Sequence, residues 1–293
     1  MSPPFADRLA ARVEERQSQL CLGLDPDPSG LDPDSPAVGE SVAERAGEAV
    51  VAHCRSLIER AGPACVAAKL QLACFERLGA PGWAALERTA AAARGAGLLV
   101  IADGKRNDVP VSATAYAQAL FGSTPTPWGE VGGLGADAAT VGALLGADSL
   151  EPLLDGAAEA DAGLFVLVRT SNRGAADLLD LPTPEAPLFE RLAALVAERA
   201  HRLMGECGLS GVGAVVGATE PRHLSRLREL MPRSIFLVPG VGAQGGRAAD
   251  LGPAFSEHPA SVLVTASRSI ASAPDPAAAA SELRAELWAS AGD

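Results

Sequence analysis

The sequence predicts an α/β protein with the (β/α)8 barrel architecture, organised as one domain over residues 1–293. Two observations support this fold. Short apolar runs alternate with longer helical stretches along the chain, and ionisable residues collect at one end of those runs. The run Leu98–Lys105 shows both features, because it is apolar until Asp103 and Lys105, with Asp108 in the turn that follows.

Eight apolar runs are expected to form the strands. Most are continuous or nearly so, as is typical of parallel strands that are covered on both faces. In chain order they are Leu20–Asp25, Cys65–Leu70, Leu98–Lys105, Ala138–Val141, Leu164–Thr170, Ala214–Thr219, Ile235–Gly240 and Ser261–Ala266.

The segments between the strands are rich in Ala, Leu, Glu and Arg and predict helices, several of which end at glycine. They are Ala43–Ala61, Trp83–Arg94, Ala113–Leu120, Leu188–Cys207, Pro221–Leu230 and Ala277–Ala289. Residues 26–39, 121–135 and 181–187 interrupt the alternation and are expected as loops or insertions. A doubly wound open sheet is the structural alternative, but it more often carries G-x-G-x-x-G after its first strand, where this chain has Asp25-Pro26-Asp27-Pro28.

Bulk composition excludes several classes of protein. The net charge of −12 disfavours wrapping nucleic acid, and no stretch approaches the length of apolar sequence that spans a bilayer. The first residues carry charges and no apolar signal core, which predicts a cytoplasmic protein. Neither the five cysteines nor the four histidines show a metal-binding spacing, so no metal site is expected.

Charged side chains are unevenly placed along the predicted strands. The strands end in Asp25, in Lys69, and in Asp103 with Lys105, whereas their opposite ends are mostly Gly, Ala or Leu. In a barrel the carboxyl ends of the strands face the active site. One Asp–Lys pair by itself is more often a simple ion pair, but Lys69, Asp103, Lys105 and Asp108 together predict an array of alternating charge.

The loops after the last two strands predict an anion site. Gly240, Gly242 and Gly245 would let backbone N–H groups approach an anion, and Arg268 adds a charged donor one loop later. A glycine-rich loop alone is weak evidence, since a tight turn needs the same residues. Combined with Arg268, it favours a phosphate, because these two loops form the recurrent phosphate site of the barrel.

At these residues the chain resembles the orotidine 5′-phosphate decarboxylase family, in its longer-chain bacterial subgroup. The resemblance runs from Leu20-Cys21-Leu22-Gly23-Leu24-Asp25-Pro26 to Ser267-Arg268. Its most specific element is D-x-K-x-x-D, here residues 103–108. Supporting segments are Lys69 with Phe75-Glu76, Thr170-Ser171-Asn172, Val216-Gly217-Ala218-Thr219 and Pro239-Gly240-Val241-Gly242-Ala243-Gln244-Gly245.

The resemblance implies a homodimer that uses no metal or organic cofactor and converts orotidine monophosphate to uridine monophosphate and carbon dioxide. By motif match, Lys105 would protonate C6 of the pyrimidine, Asp103 would lie against the substrate carboxylate, and Lys69 would order the charges. Asp108 would reach across the interface into the partner's site. The substrate-binding residues would be Asp25 for the ribose, Ser171 for the pyrimidine, and Gly240, Gly242, Gln244 and Arg268 for the phosphate.

The chain also departs from the pattern of the family. Gly142-Ala143-Leu144 stands where the subgroup usually has Asn-Pro-Tyr, Leu70 replaces a usual proline, and Asn107 and Pro110 replace common glycines. These departures leave open a specialised paralogue that acts on a modified pyrimidine nucleotide.

Two further alternatives remain open. A magnesium-dependent sugar-phosphate decarboxylase or hexulose-phosphate synthase of the same barrel type would carry an acidic residue where Lys69 stands. A non-catalytic nucleotide-binding protein would have little reason to keep four opposed charges, because stored repulsion without chemistry only lowers stability.

Overall fold

The computed structural model describes residues 2–31, 38–218, 221–242 and 245–291, and in it eight parallel strands close into a barrel. Each strand pairs with its sequence neighbours in the barrel, and the first strand pairs with the eighth. The barrel prediction is therefore confirmed. The strands are Leu20–Leu24, Ala67–Gln71, Leu99–Arg106, Ala138–Val141, Gly163–Arg169, Ser210–Val216, Ser234–Pro239 and Val262–Ala266.

Most of the α-helices lie around this barrel, and together the helices include every one that the sequence predicts. Their bounds are Phe5–Arg16, Val42–Ala61, Leu72–Glu76, Ala80–Gly95, Pro110–Leu120, Glu151–Glu159, Ala175–Leu179, Leu188–Arg199, Pro221–Leu230, Arg268–Ala271 and Pro276–Ser290. Short 3-10 turns occupy Pro28–Gly30, Gly62–Ala64, Ala147–Ser149, Ala200–Leu203, Ala248–Asp250, Gly252–Ala254 and Pro259–Ser261. No helix in the described residues is long and apolar enough to cross a bilayer.

The region before the sixth strand corrects two predicted boundaries. The helix that begins at Leu188 ends at Arg199 rather than at Cys207, and the strand begins at Ser210 rather than at Ala214. Ser210 is fully buried, yet its hydroxyl donates to the Ala200 carbonyl at 2.6 Å. The buried polar residue is thus satisfied by the turn that ends the helix, so the strand starts earlier than its apolar run suggests.

The prediction omits the helix Phe5–Arg16, which covers the amino-terminal ends of the strands. Phe5 packs edge-to-face on Phe165 at the entrance of the fifth strand, with ring centroids 5.9 Å apart. Arg8 forms an ion pair with Asp137, and the Asp137 carboxylate accepts from the Val100 N–H at 2.8 Å. These contacts close the end of the barrel opposite the carboxyl ends of the strands, which form the predicted working face. The spacing of the buried Phe5, Leu9 and Val13 is the signal that could have found this helix.

The predicted insertion at residues 121–135 contains an antiparallel hairpin, Ser123–Thr126 with Gly129–Gly132. Trp128 lies in the turn between these strands and is 93% exposed. The hairpin continues from the helix Pro110–Leu120, so it lies away from the carboxyl ends of the barrel strands.

Side chains along the barrel strands alternate between two apolar clusters. Leu20 and Leu22 belong to the cluster between the barrel and its helices, whereas Cys21 and Ile101 belong to the cluster that fills the barrel. Ile101 and Asp103 are two residues apart on one strand, so they face the same way. The alternation therefore directs the Asp103 carboxylate into the barrel interior.

Candidate active site

A cavity of about 760 Å³ opens at the carboxyl ends of the barrel strands. It gathers side chains that are remote in sequence, as the sequence predicts for the working face. Predicted site residues on its walls are Asp25, Lys69, Asp103, Lys105, Ser171, Gly240 and Arg268.

A buried carboxylate between two ammonium groups forms the floor of the cavity. Lys69 Nζ lies 2.6 Å from Asp103 Oδ2, and Lys105 Nζ lies 2.5 Å from Asp103 Oδ1. Asp103 and Lys69 are both buried, while Lys105 is exposed toward the cavity. Three of the four predicted charges therefore meet at one point, with the third strand contributing two of them.

Two polar side chains that sequence reasoning missed complete this group. Thr140, at 1% exposure, donates its hydroxyl proton to Asp103 Oδ1 at 2.7 Å. The Gln71 amide donates to Asp103 Oδ2 at 3.3 Å. With four donors, Asp103 has its negative charge fully solvated by protein groups. The polar position of Thr140 inside the apolar run Ala138–Val141 is the signal that could have pointed to it.

The charge states of this group follow from its contacts. Burial would raise the pKa of Asp103, but the Lys69 and Lys105 ammoniums outweigh it and lower that pKa to about 2. Burial would likewise lower the pKa of Lys69, but Asp103 and Asp25 raise it above its ordinary value. Asp103 is thus a carboxylate and Lys69 an ammonium throughout the neutral range.

Lys105 has an unusual backbone conformation, with φ at +47°, in the left-handed region that few non-glycine residues adopt. Its N–H donates to the Thr140 hydroxyl at 3.1 Å. The third strand is irregular against the fourth between Ala102 and Arg106, so Lys105 lies within a bulge. Bulges next to active sites commonly redirect a side chain, and here the Lys105 ammonium returns toward Asp103.

Asp25 extends the charged group toward the rim of the cavity. Its carboxylate lies 3.6 Å from Lys69 Nζ and is partly exposed. The loop beyond it is tied down by Arg77, whose guanidinium donates to the Pro26 carbonyl at 2.6 Å. Asp25 is therefore held close to the buried lysine while it keeps access to a ligand.

The loop after the fifth strand carries Ser171 and is braced by a buried arginine. Arg169 donates from Nε and Nη2 to both carboxylate oxygens of Asp180, at 2.7 and 3.0 Å. Gly217 packs directly beneath Ser171, because a Cβ there would lie 2.7 Å from the Ser171 Cα. The glycine in this sequence segment thus allows the sixth strand to approach the loop.

The loops after the seventh and eighth strands lie side by side, as expected for an anion site. Gly240 and Gly242 have φ of 105° and 77°, and a Cβ on Gly242 would lie 3.3 Å from Ser269 Cβ. Arg268 is exposed at the rim of the cavity. Gln244, the remaining predicted phosphate contact, lies outside the described residues.

Asp108 is the predicted catalytic residue that does not join the group within one chain. It lies on the turn after the third strand, where its carboxylate accepts from the Val109 N–H at 2.8 Å. In the part of the chain that the structure describes, it is not among the residues lining the cavity. Its predicted reach into a partner subunit stays a prediction.

Two of the departures from the family pattern touch each other. A Cβ at Gly142 would lie 3.1 Å from the Cβ of Asn107, and the Gly142 N–H donates to the Arg106 carbonyl at 2.9 Å. Asn107 therefore occupies space that a side chain at 142 would need. With both departures present, Lys69 and Lys105 still contact the Asp103 carboxylate.

The cavity has positive charge in an acidic protein. Lys69, Lys105, Arg173 and Arg268 line it against Asp25 and Asp103, while the whole chain carries −12. Such a site favours a small polyanion, since local donors determine the potential within a cleft.

The fold and this cavity define a class of protein: a (β/α)8 barrel with a positively charged cavity built around a Lys–Asp–Lys group. Comparison with known proteins narrows this class. The profile of the orotidine 5′-phosphate decarboxylase/HUMPS family matches residues 18–283. This chain belongs to that family.

Individual relatives are similar to this chain over nearly its whole length. The orotidine 5′-phosphate decarboxylase of Rhodopirellula baltica is 41% identical over 273 residues, which covers 91% of this chain and 87% of that protein. The one from Deinococcus radiodurans is 38% identical, covering 92% and 90%. The structure of Leishmania donovani OMP decarboxylase aligns with a TM-score of 0.77 at 34% identity and covers 99% of this chain and 100% of that one.

Proposed function

We propose that this chain is a carboxy-lyase that converts orotidine 5′-monophosphate to uridine 5′-monophosphate and carbon dioxide, a step of pyrimidine biosynthesis. The observation that carries the proposal is the Lys69–Asp103–Lys105 group, with both ammonium-to-carboxylate distances at or below 2.6 Å at the base of the cavity. The relatives' activity and the positive cavity both support it.

The chemistry follows from where the charges lie. The bond between C6 of the pyrimidine and its carboxylate breaks, carbon dioxide leaves, and the electron pair stays on C6. Lys105 donates an Nζ proton to that carbon and recovers one from solvent. A fixed ammonium next to the developing carbanion supplies electrostatic stabilisation, which is usually the largest catalytic contribution.

Asp103 and Lys69 prepare that event. The substrate carboxylate would lie against Asp103, whose low pKa keeps it ionised, and the repulsion is relieved as carbon dioxide leaves. Lys69 holds Asp103 in place with its buried ion pair. Neither residue transfers a proton in this scheme.

The rest of the cavity positions the nucleotide. Asp25 would bind the ribose hydroxyls and Ser171 the edge of the pyrimidine, since both line the cavity beside the Lys–Asp–Lys group. The phosphate would be held at the adjoining loops after the last two strands by Gly240, Gly242, Gln244 and Arg268. Binding energy from the remote phosphate can stabilise the closed site around the reacting carbon.

The assay is direct: purified protein is mixed with orotidine monophosphate, and the loss of pyrimidine absorbance is followed. We expect turnover that survives a chelator. Turnover that the chelator abolishes would instead favour a magnesium-dependent relative. Tight nucleotide binding with no turnover would indicate a binding protein, and turnover confined to a modified pyrimidine nucleotide would indicate a specialised paralogue.

We further propose a homodimer in which Asp108 completes the partner's site. Exposed apolar side chains flank the Asp108 turn: Val109 and Val111 are 55% and 85% exposed, and Leu144 and Leu145 on the adjoining loop are 54% and 52% exposed. A self-complementary surface with these residues at its centre would bury them and carry Asp108 across the interface.

Mixing inactive chains tests the shared site. Asp108→Asn and Lys105→Ala chains, each inactive alone, should regain about a quarter of the sites when their subunits exchange at random. Sedimentation should give a dimer. Absence of any recovery, once subunit exchange is shown by differently tagged chains, would contradict the proposal.

A further inference from the structure

We propose that Thr140 is a positioning residue of the decarboxylation: its one hydroxyl fixes the Asp103 carboxylate and the Lys105 backbone at the same time. The inference rests on the proposed function. Thr140 lies on the fourth strand, 1% exposed, with Oγ1 at 2.7 Å from Asp103 Oδ1 and 3.1 Å from the Lys105 nitrogen.

The direction of both hydrogen bonds is fixed by chemistry. An ionised carboxylate only accepts, so the Thr140 hydroxyl must donate to Asp103. The Lys105 N–H only donates, so the same oxygen must accept from it. A hydroxyl with both roles occupied has a single orientation, and it locks the two residues relative to each other.

The location of the contact explains why a side chain is needed there. The regular pairing of the third and fourth strands ends at Ala102 with Ala139 and resumes at Arg106 with Val141. Between those points the third strand has the extra residues, and Lys105 takes its left-handed φ of +47°. Thr140 Oγ1 thus replaces a carbonyl of the strand ladder as the acceptor for the Lys105 N–H, and it holds a conformation that otherwise costs free energy.

Loss of the Thr140 hydroxyl is expected to slow the decarboxylation rather than weaken substrate binding. Lys105 Nζ rests on Asp103 Oδ1 at 2.5 Å and must turn toward the substrate carbon. Throughout that movement the Thr140 hydroxyl keeps Oδ1 hydrogen-bonded and the base of the lysine side chain in place. Removal of the hydroxyl therefore misplaces the proton donor, while the loops that bind phosphate and ribose are unchanged.

Kinetics of three variants test this role. Thr140→Val has nearly the same shape without the hydroxyl, and its kcat should fall about tenfold to a hundredfold, as expected for loss of a hydrogen bond to a charged group. Its KM should stay within about threefold. Thr140→Ser keeps the hydroxyl and should restore kcat to within about threefold of the parent enzyme.

The matched control is Thr89→Val. Thr89 is fully buried in the helix Ala80–Gly95, where its hydroxyl donates to the Ala85 carbonyl at 2.8 Å, away from the cavity. Its kcat should match the parent. A Thr140→Val enzyme with kcat within about twofold of the parent, or a Thr140→Ser enzyme as slow as Thr140→Val, would overturn the inference.

A measurement without substrate separates this inference from the proposed function. The Asp103 carboxylate faces the Lys69 and Lys105 ammoniums and the Gln71 amide, with Asp25 beyond Lys69. Amide hydrogen exchange of Lys105, followed by NMR at neutral pH, should be faster in Thr140→Val than in the parent or in Thr140→Ser, because the Lys105 N–H then lacks its acceptor. Equal exchange rates would refute the contact even if the parent decarboxylates orotidine monophosphate, and faster exchange in Thr140→Val alone would support it even if the parent does not.

Discussion

Substitution of Lys69 by Met isolates the energetic role of the buried charge pair. The Lys69 and Asp103 side chains are 6% and 7% exposed, with Nζ and Oδ2 2.6 Å apart. Lys69→Met keeps a long apolar stem but removes the ammonium. Asp103 then retains the hydrogen bonds from Lys105, Thr140 and Gln71, but only one cation remains beside it.

The expected loss of stability follows from that geometry. Removal of one partner of a buried ion pair lowers the free energy of unfolding by about 3–5 kcal/mol, because the other charge is left in a poorly solvated place. We expect the lower part of this range, about 3 kcal/mol, since three donors to the Asp103 carboxylate remain. Asp25 also loses its contact with the Lys69 ammonium, but its carboxylate is partly exposed to solvent, so this adds little to the loss of stability.

The pKa of Asp103 determines how the loss of stability in Lys69→Met varies with pH. The pKa of Asp103 is lowered from 3.8 to about 2 in the native protein, so its stabilising contribution is present above pH 3.8 and is lost as the pH falls toward 2. Lys69→Met raises the pKa of Asp103, so the carboxyl takes up a proton at higher pH. The stability deficit of the variant should therefore be largest at pH 7 and smaller at about pH 4.

Urea denaturation at the two pH values measures the deficit. The double variant Lys69→Met/Asp103→Asn removes the unpaired charge and should regain part of the lost stability at pH 7. An equal deficit at both pH values, together with no recovery in the double variant, would refute the reasoning and show that Lys69 stabilises the fold only through the packing of its stem.

Three other predictions concern the site and its scaffold. Lys105→Ala should lower kcat about 100-fold or more, because it removes the proton donor. Calorimetry should show that the variant binds uridine monophosphate within about threefold of the parent's affinity. Retention of most activity would show that the proton donor is misassigned. Arg228→Met should lower the free energy of unfolding by about 3 kcal/mol in urea denaturation and leave kcat unchanged. The reason is that the buried guanidinium donates to four carbonyls at 2.8–3.1 Å, those of Ala254, Met231, Ser234 and Ser261. A loss below about 1 kcal/mol would contradict this. Gly142→Ala should lose about 1–3 kcal/mol by contact with Asn107 and recover it in Asn107→Gly/Gly142→Ala, and additive losses would argue against the contact.

Local patterns in the sequence were enough to predict the barrel and the end of it at which the charged side chains lie. Continuous apolar runs separated by helical stretches give parallel strands covered on both sides, and the structure has a strand at each predicted run. The alternation of side chains along such a run also indicates the face to which Asp103 points, whereas Lys105 reaches the same face through the bulge. These inferences need only local periodicity, which is visible in the sequence without any knowledge of tertiary contacts.

Which other groups contact Asp103 depends on how the strands pack in three dimensions. Thr140 is separated from it by 37 residues and Gln71 by 32. The polar Thr140 stands out in its apolar run, but nothing local shows that either side chain contacts Asp103. Their contacts depend on the lateral register of neighbouring strands and on the bulge that gives Lys105 its left-handed backbone. Register is set by the packing of the whole barrel, so it is a cooperative property that no short segment of sequence contains.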